Sequence, residues 1–251
     1  MRRLKLKEIE EHDLDSPERS LIHKNIIQQK QFLKSLYIDW YNHLKKYSGY
    51  SNEGVFVELG SGGGFAKEIM SNVITSDVIS LPDIDLVFGG ENMPFENESV
   101  DGIMMIDVFH HIPDPRGFLS EVNRTLKPGG KLVMSEPWNS AWPRFIFQNF
   151  HHEPFDPSGK WGIINNGSLS GANGALPWIV FERDRKIFEK EYPNLKIETI
   201  KYHTAFRYLL SGGLTMKQLI PGFLFKFASG MDHLLSFFKF SMFAFIIVRK
   251  V

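Results

Sequence analysis

The sequence predicts an α/β fold, in which a parallel, doubly wound sheet is covered by helices. Short apolar runs rich in β-branched residues alternate with helical patterns along residues 54–136, a spacing typical of βαβ units with right-handed crossovers. Four glycines lie within five positions directly after the first of these runs. The chain has 251 residues, 43% hydrophobic and 23% charged, which is enough for one large domain with a substantial core.

The overall composition excludes several classes of protein. A formal net charge of +0 argues against a dedicated nucleic-acid binder, and the absence of cysteine excludes disulfides and thiolate metal sites. The basic start, "MRRLKLKEIEEHDLD", runs into acidic residues where a signal peptide needs an apolar stretch. The longest apolar run, "MFAFIIV", is far shorter than the ~20 residues that span a bilayer. We therefore expect a cytoplasmic protein without a transmembrane helix.

Residues 1–50 are predicted to be helical. Ser16 is a good helix cap, because Pro17 suits the first helical position and Glu18 adds an acid to the first turn. The Gly/Ser/Asn-rich stretch "YSGYSNEG" ends this segment. Apolar residues recur at three- and four-residue spacing and form one helical face, namely Leu21, Ile22, Ile26, Ile27, Leu33, Leu36, Tyr37, Trp40, Tyr41 and Leu44.

The middle of the chain supplies most strands of the predicted sheet. A strand at 54–59 leads into the glycine cluster, which should open a helix at 65–70, and a second strand ends near Asp77. Two more strands are predicted at 100–108 and 131–136. The helix between these two strands has a core face made of Phe118, Leu119, Val122 and Leu126.

The pattern changes in the second half of the chain. Residues 137–176 are rich in Trp, Phe, His, Pro, Gly and Asn without a clear period, which predicts a partly irregular insertion. A helix is predicted at 177–191, and two late strands at 195–202 and 243–250. The stretch between these late strands is apolar and helical in character.

The glycine cluster, in "VFVELGSGGGF", predicts a ligand that touches the backbone. Gly60, Gly62 and Gly64 allow a sharp turn and a close approach that a Cβ would prevent. The dinucleotide pattern G-x-G-x-x-G requires a glycine where this chain has Phe65, whereas E-x-G-x-G-x-G fits from Glu58 onward. A carboxylate beside the loop would repel a pyrophosphate and suits a cationic or amino-bearing ligand.

The motifs around this loop resemble those of a known family. Residues 55–136 resemble the core of the class I S-adenosylmethionine-dependent methyltransferases, in the type 11 group that includes the ubiquinone and menaquinone C-methyltransferases. Four stretches carry the resemblance in order: "VELGSGGG", "SDV", "MPFENESVDGIMMIDVFHHIPDP" and "EVNRTLKPGGKLVMSEP". The resemblance implies a Rossmann-like sheet with a late antiparallel strand, and S-adenosyl-L-methionine as cofactor.

The resemblance also implies roles for individual residues. Asp77 would accept hydrogen bonds from both ribose hydroxyls, Glu58 would face the methionine amino group, and Asp107 would border the methionine tail. The family often has an acid near the adenine amino group where this chain has Gly89, and Asn92 or backbone groups would substitute there. The implied cofactor-binding set is Glu58, Gly60, Ser61, Gly62, Asp77, Asn92 and Asp107.

On this interpretation the chain is a single methyltransferase domain over residues 1–251. It would comprise an N-terminal helical cap at 1–50 and a cofactor-binding core at 51–136. Two acceptor-site insertions would follow, at 137–176 and 211–240.

The candidates for a general base are histidines and one glutamate. An acidic acceptor needs a base, and histidine is the side chain most easily poised near neutral pH. His152, Glu153 and His111 are the predicted catalytic residues, although a structural histidine is the alternative for "FHHIPDP" and a polar loop for "NFHHEPFDP". A metal site at "HHE" with Asp156 is the weaker interpretation, because adjacent histidines tend to point apart, so we expect no metal.

The C-terminal region has two interpretations. Eight of the 22 phenylalanines fall in residues 221–251, and basic residues outnumber acids from 211 onward. This region could cover a lipid acceptor or lie on an anionic membrane through residues 211–240. The alternative, which we favour, is that the aromatics pack a helix and the last strands against the sheet.

The sequence therefore predicts a methyltransferase that acts on a small-molecule or a lipid- or saccharide-linked acceptor. Two alternatives remain from other classes: a regulatory protein that binds S-adenosylmethionine without turnover, and a nicotinamide-dependent oxidoreductase. We expect no nucleic-acid partner.

Overall fold

The computed structural model describes residues 5–6, 9, 12–150, 153–163, 167, 170–237 and 240–251. In this part of the chain seven strands form one sheet in the order β3-β2-β1-β4-β5-β7-β6. The strands are β1 Phe56–Leu59, β2 Ile74–Asp77, β3 Leu86–Val87, β4 Val100–Ile106, β5 Leu126–Pro137, β6 Leu195–His203 and β7 Phe243–Lys250.

The sheet is parallel from β3 to β5, and β7 runs antiparallel between β5 and β6. The strand order reverses between β1 and β4, so the loops after these strands diverge at their carboxyl ends and leave a crevice there. The predicted α/β fold with a late antiparallel strand is confirmed.

Helices cover both faces of the sheet. They are α1 Pro17–Gln29, α2 Gln31–Ser48, α3 Pro115–Thr125, α4 Ala141–Phe150, α5 Leu176–Trp178, α6 Arg185–Glu191, α7 Arg207–Ser211 and α8 Phe225–Phe237, with a π-helical turn at Ile179–Arg183 between α5 and α6. No helix in the described ranges is both long and apolar enough to cross a membrane.

The N-terminal helices form as predicted. The Ser16 side chain accepts a hydrogen bond from the Arg19 N–H and caps α1. The apolar face of α2 packs against the sheet, where Leu33, Leu36 and Trp40 are fully buried. This packing places α2 beside the carboxyl ends of the strands.

Two predicted elements differ from the structure. The helix expected at 65–70 is only a 3₁₀ turn, Ala66–Glu68, because the chain must return to β2 at Ile74 within a few residues. The insertion at 137–176, predicted to be partly irregular, contains the helix α4. Because aromatic residues are frequent throughout this segment, its sequence shows no clear helical period.

The C-terminal aromatics divide between the two predicted environments. Phe243 and Phe245 of β7 are buried in the sheet, as the packing interpretation requires. Phe223 and Phe227 are instead 81% and 70% exposed. Phe225 of α8 packs against Phe32, with ring centroids 5.1 Å apart, so the packing interpretation, which we favoured, holds for only part of the segment around α8.

Candidate active site

A cavity of about 450 Å³ opens at the carboxyl ends of β1, β2 and β4. The glycine loop after β1 and Asp77 at the end of β2 form one wall. Tyr37 and Tyr41 of α2 also line the cavity. The cavity therefore lies at the position where open α/β sheets bind their ligands.

The glycine loop requires glycine for two different reasons. Gly60 has a φ of +64° and Gly62 a φ of +37°, conformations that side chains rarely adopt. A Cβ at Gly60 would also clash with the side chain of Val108. The loop therefore brings its backbone against β4 and leaves its open face to the cavity.

Asp77 is fixed at the end of β2 by backbone groups. Its Oδ2 accepts the Gly62 N–H at 2.9 Å, and its Oδ1 accepts the Ile79 N–H at 3.0 Å. Burial raises the pKa of Asp77, although these hydrogen bonds act in the opposite direction. The carboxylate is thus oriented toward the cavity, with further lone pairs on both oxygens.

Glu58 is a buried carboxyl group beneath the glycine loop, only 2% exposed. The Ser61 hydroxyl donates to Glu58 Oε2 at 2.7 Å, and the Tyr41 hydroxyl also donates to this carboxyl. Burial raises the pKa of Glu58 to about 7, because these hydrogen bonds only partly offset the loss of hydration. A cationic ligand group nearby would favour its ionised form.

Asp107 follows β4 with a strained backbone, at a φ of +63°. Burial raises its pKa to about 7, while the neighbouring His110 acts in the opposite direction. Its Oδ1 is buried and makes no hydrogen bond to any described group. The strain and the unsatisfied oxygen both indicate a ligand-binding position.

Asn92 lies at the surface, outside the residues that line the cavity. The wall at this point is formed by Gly90 and Glu91. Glu91, which the sequence analysis missed, is an acid two positions after Gly89, and the shift in position concealed it. A cofactor role for Asn92 stays a prediction.

His110 is the centre of a buried charged cluster. Its Nδ1 lies 2.8 Å from Glu136 Oε2, and its Nε2 lies 3.5 Å from Glu153 Oε2. Burial alone would lower the pKa of His110, but hydrogen bonds to the two glutamates outweigh it and raise the pKa well above 6.5. The two carboxylates therefore favour the imidazolium form of His110 between them.

Glu136 at the end of β5 anchors this cluster, and the sequence analysis used it only as a strand boundary. Its Oε1 accepts the N–H groups of Val108 at 2.9 Å and Phe109 at 2.7 Å. In the sequence, Glu136 is recognisable only as an acid at the end of an apolar strand. Its hydrogen-bond partners lie in the loop after β4, which the local sequence pattern does not place beside it.

His111 lies beside His110 and also contacts Glu153. Its Nδ1 lies 3.0 Å from the Gly171 carbonyl oxygen, so this nitrogen carries the proton. Its Nε2 lies 3.8 Å from Glu153 Oε1. Burial, with the nearby His110 charge, lowers the pKa of His111 to about 4, so the ring is neutral at pH 7.

The predicted catalytic residues are thus partly brought together. His111 and Glu153 meet at the cavity wall, whereas His152 lies outside the described residues. His110 and His111 both direct Nε2 toward Glu153. The adjacent pair of the "HHE" metal interpretation, His151 and His152, lies outside the described residues.

A divalent metal could be held by this group. The candidate ligand atoms of His110, His111 and Glu153 lie within 4.8 Å of one another, and imidazole with carboxylate suits Zn or Fe. Asp156 instead hydrogen-bonds Ser158 within its own loop. The expectation that the chain uses no metal stays a prediction.

Much of the remaining wall of the cavity is apolar and aromatic, and α1 adds Arg19, Ser20 and His23. The apolar part comes from α2, α4, α7 and the start of β7, together with the segment after Glu153. The aromatic side chains in this half are Tyr37, Phe147, Phe155, Tyr208 and Phe243.

The strand order, the glycine loop after β1 and the acids ending β1, β2 and β4 define the class I S-adenosylmethionine-dependent methyltransferase fold. Residues 57–134 match the family described as "Methyltransferase domain". Residues 57–134 of this chain therefore match a methyltransferase domain, within a class I methyltransferase fold.

Curated relatives align with part of the chain. A phthiotriol/phenolphthiotriol dimycocerosates methyltransferase of Mycobacterium ulcerans is 43% identical over 58 residues, 23% of this chain and 21% of the relative. A demethylmenaquinone methyltransferase of Staphylococcus saprophyticus is 32% identical over 108 residues, 43% of each chain. These alignments thus span less than half the length of either relative.

A solved structure matches nearly the whole fold. The geranyl diphosphate C-methyltransferase of Streptomyces coelicolor A3(2), in complex with Mg²⁺, geranyl diphosphate and S-adenosyl-L-homocysteine, has a TM-score of 0.53 at 16% identity. The match covers 99% of this chain and 92% of that one, which extends the fold assignment beyond the family match to the helices and late strands.

Proposed function

We propose that this protein transfers a methyl group from S-adenosyl-L-methionine to an apolar acceptor. The observation that carries the proposal is the Asp77 carboxylate, held against the Gly62 N–H at the mouth of the glycine loop. A carboxylate at this point binds vicinal hydroxyls through two hydrogen bonds, as a ribose presents them.

The charge of the cavity favours this cofactor over a dinucleotide. Glu58, Asp77 and Asp107 all line it, and a pyrophosphate would be repelled by them. The amino group and the sulfonium of S-adenosylmethionine are cationic. The glycine loop then binds the methionine and ribose portions against its backbone.

The apolar half of the cavity supplies the acceptor site. Its aromatic walls bury a hydrocarbon or ring system and exclude water, so a sulfonium and an acceptor held in line react by direct displacement. Relatives named for lipid, quinone and isoprenoid methylation are consistent with such an acceptor.

Glu153 is the proposed base. The carboxylate lines the cavity and lies 3.5 Å from His110 Nε2, which orients it. As the acceptor bonds to the methyl carbon, the carbon–sulfur bond breaks, S-adenosylhomocysteine leaves as a neutral thioether, and the acceptor proton passes to Glu153. Neutral His111 packs beside this carboxylate and positions it.

The segment 211–240 is proposed to contact membranes while the acceptor is collected. Phe223, Phe227 and Leu234 are exposed together with Lys217 and Lys226. Exposed aromatic and basic side chains on a helical surface favour the interface of an anionic bilayer.

The test of the proposed function is calorimetric titration with S-adenosylmethionine and S-adenosylhomocysteine. We expect saturable binding by the wild type, and affinity at least tenfold weaker in Asp77→Ala, because the ribose loses two hydrogen bonds to a charged group. Asp83→Ala is the matched control, since this exposed carboxylate only pairs with Lys24 at the surface. Failure of the folded wild type to bind either ligand would refute the proposal.

Turnover separates an enzyme from a regulatory binder. A screen of polyprenyl quinol precursors, lipid alcohols and nucleotide-linked sugars, with labelled S-adenosylmethionine, should reveal methyl transfer. Tight cofactor binding without transfer to any acceptor of these classes would favour the regulatory alternative. A rise in melting temperature with NAD(H) and not with S-adenosylhomocysteine would favour the oxidoreductase.

A further inference from the structure

A second cavity, of about 410 Å³, lies beside the first at the carboxyl end of β5. The Trp138 N–H donates to the Met242 carbonyl oxygen at 2.8 Å, and this pair of segments separates the two cavities. Pro137 and Met242 line the first cavity, whereas Trp138 and Ser241 line the second. The two sites are therefore neighbours with a shared wall.

The walls of the second cavity are unusually aromatic. Three of the five tryptophans in the chain line it. The Trp138 side chain hydrogen-bonds the Tyr202 hydroxyl, so these two rings are held together as one surface. The aromatic side chains are Trp138, Trp142, Trp178, Tyr202 and Phe240.

Three polar atoms at this cavity are buried without a hydrogen-bond partner in the described structure. They are Asn139 Nδ2, Trp142 Nε1 and Ser241 Oγ, and all three residues line the cavity. Asn139 and Ser241 are 8% and 1% exposed. Leaving such groups unsatisfied is costly and uncommon in proteins, so their meeting at one cavity indicates a polar ligand.

The orientation of the Asn139 amide is fixed independently. Its Oδ1 accepts the Arg144 Nε–H at 2.9 Å, so the Nδ2 cannot exchange places with it without losing that bond. The cavity therefore presents two N–H donors and one hydroxyl. Glu182 at its rim adds an acceptor.

We propose that this cavity is a saccharide-binding subsite that takes a pyranose ring. The flat faces of the rings accommodate the C–H face of the sugar, and its hydroxyls accept from Asn139, Trp142 and Ser241 while donating to Glu182. A quaternary ammonium ion would suit the aromatic walls, but it has no acceptor for the three unsatisfied donors. This proposal is independent of methyl transfer, since the site lies outside the cofactor cavity.

The test uses tryptophan fluorescence with maltose, cellobiose and N-acetylglucosamine as probes. We expect a saturable change in emission with at least one of them. Ser241→Ala and Trp142→Phe should weaken that binding about tenfold, since each removes one donor. Trp161→Phe is the matched control, because its indole N–H is already bonded to Asp184 at 2.9 Å, outside the cavity.

Melting temperature distinguishes a binding role from a structural one. Ser241→Ala should not lower it, because the Ser241 hydroxyl makes no hydrogen bond within the described protein. Absence of a saturable response to all three sugars in wild-type protein that binds S-adenosylhomocysteine would overturn the proposal. The proposal would also be overturned if the two variants bound sugar as tightly as the wild type. Saturable binding of benzyltrimethylammonium in place of sugar would overturn it as well.

Discussion

Glu58 illustrates how one residue prepares a site for a cation. Its carboxyl is buried, hydrogen-bonded by Ser61 and Tyr41, and titrates near neutral pH. The site thus holds a carboxyl whose ionisation is opposed by burial and favoured by a positively charged ligand.

The Glu58 carboxyl should make the folded protein less stable as pH rises. Its pKa is about 7 when folded, against 4.5 when hydrated, so the folded state retains the proton longer and the free energy of unfolding falls between these values. Glu58→Gln removes this contribution. Between pH 5 and pH 8 we expect the variant to gain up to about 3 kcal/mol relative to wild type, measured by urea unfolding.

The exposed Glu53→Gln is the control for this experiment, because its side chain lies at the surface. The difference between Glu53→Gln and the wild type should be the same at both pH values. If the stability difference between Glu58→Gln and the wild type is also the same at both pH values, the pKa of the buried Glu58 carboxyl is not raised.

Glu153 carries the second prediction at this scale. Glu153→Gln should lower kcat by roughly 10²–10⁴-fold, as loss of a general base does, with S-adenosylhomocysteine affinity within twofold. The measurement is methyl transfer to the acceptor found in the screen. Asp156→Asn, in the same loop, should retain wild-type kcat, and unchanged kcat in Glu153→Gln would exclude it as the base.

Single residues were predictable from sequence only where the contact is local. The family motifs placed Asp77 and Glu58 beside the glycine loop, where the structure also has them, and their cofactor roles stay predictions. Glu136 and Glu91 become site residues through partners from other loops, and no local spacing reports such contacts. The meeting of His111 with Glu153 likewise depends on the path of the inserted segment.

At the scale of elements, α2 and the glycine loop fit together at Gly64. A Cβ there would clash with the Tyr41 hydroxyl and lie 2.8 Å from the Ser61 carbonyl oxygen. From the sequence, we expected Gly64 to be required because a ligand approaches the backbone. In the structure, the neighbour that requires glycine at this position is the helix α2 of the protein itself. The N-terminal cap is therefore part of the loop's geometry.

Gly64→Ala should destabilise the protein by about 1–3 kcal/mol, the usual cost of overpacking. Thermal unfolding would show this as a lower melting temperature. Adding Tyr41→Phe removes the clashing hydroxyl, so the double variant should lose less stability than the sum of the two single variants.

Gly230→Ala is the control for the added methyl group, since nothing lies within 4 Å of a Cβ at that position. It should leave stability unchanged or raise it slightly, because alanine favours a helix over glycine. An equal loss in both variants, or strict additivity with Tyr41→Phe, would contradict the proposed clash.

At the scale of the whole molecule, the exposed apolar surface around α8 should govern membrane contact. Vesicles of phosphatidylcholine with phosphatidylserine should sediment the wild type. Replacing both Phe223 and Phe227 by serine should lower the bound fraction at least tenfold, since each exposed ring would contribute about 1.5–3 kcal/mol when buried in lipid.

Ile187→Ser is the matched control, because Ile187 is an exposed apolar residue on α6. It should bind vesicles like the wild type. If the wild type does not sediment with the anionic vesicles, membrane contact is refuted, and if the double variant sediments equally, this surface is not responsible.

The sheet order has a consequence for how the chain folds. β7 is the last strand in sequence, yet it lies between β5 and β6 and pairs with both. During synthesis β6 emerges before the neighbour that it pairs with, and sequence-distant pairing of this kind is slow to form. The exposed strand edges of the intermediate are then open to association. We expect cellular chaperones to engage the nascent protein until β7 closes the sheet.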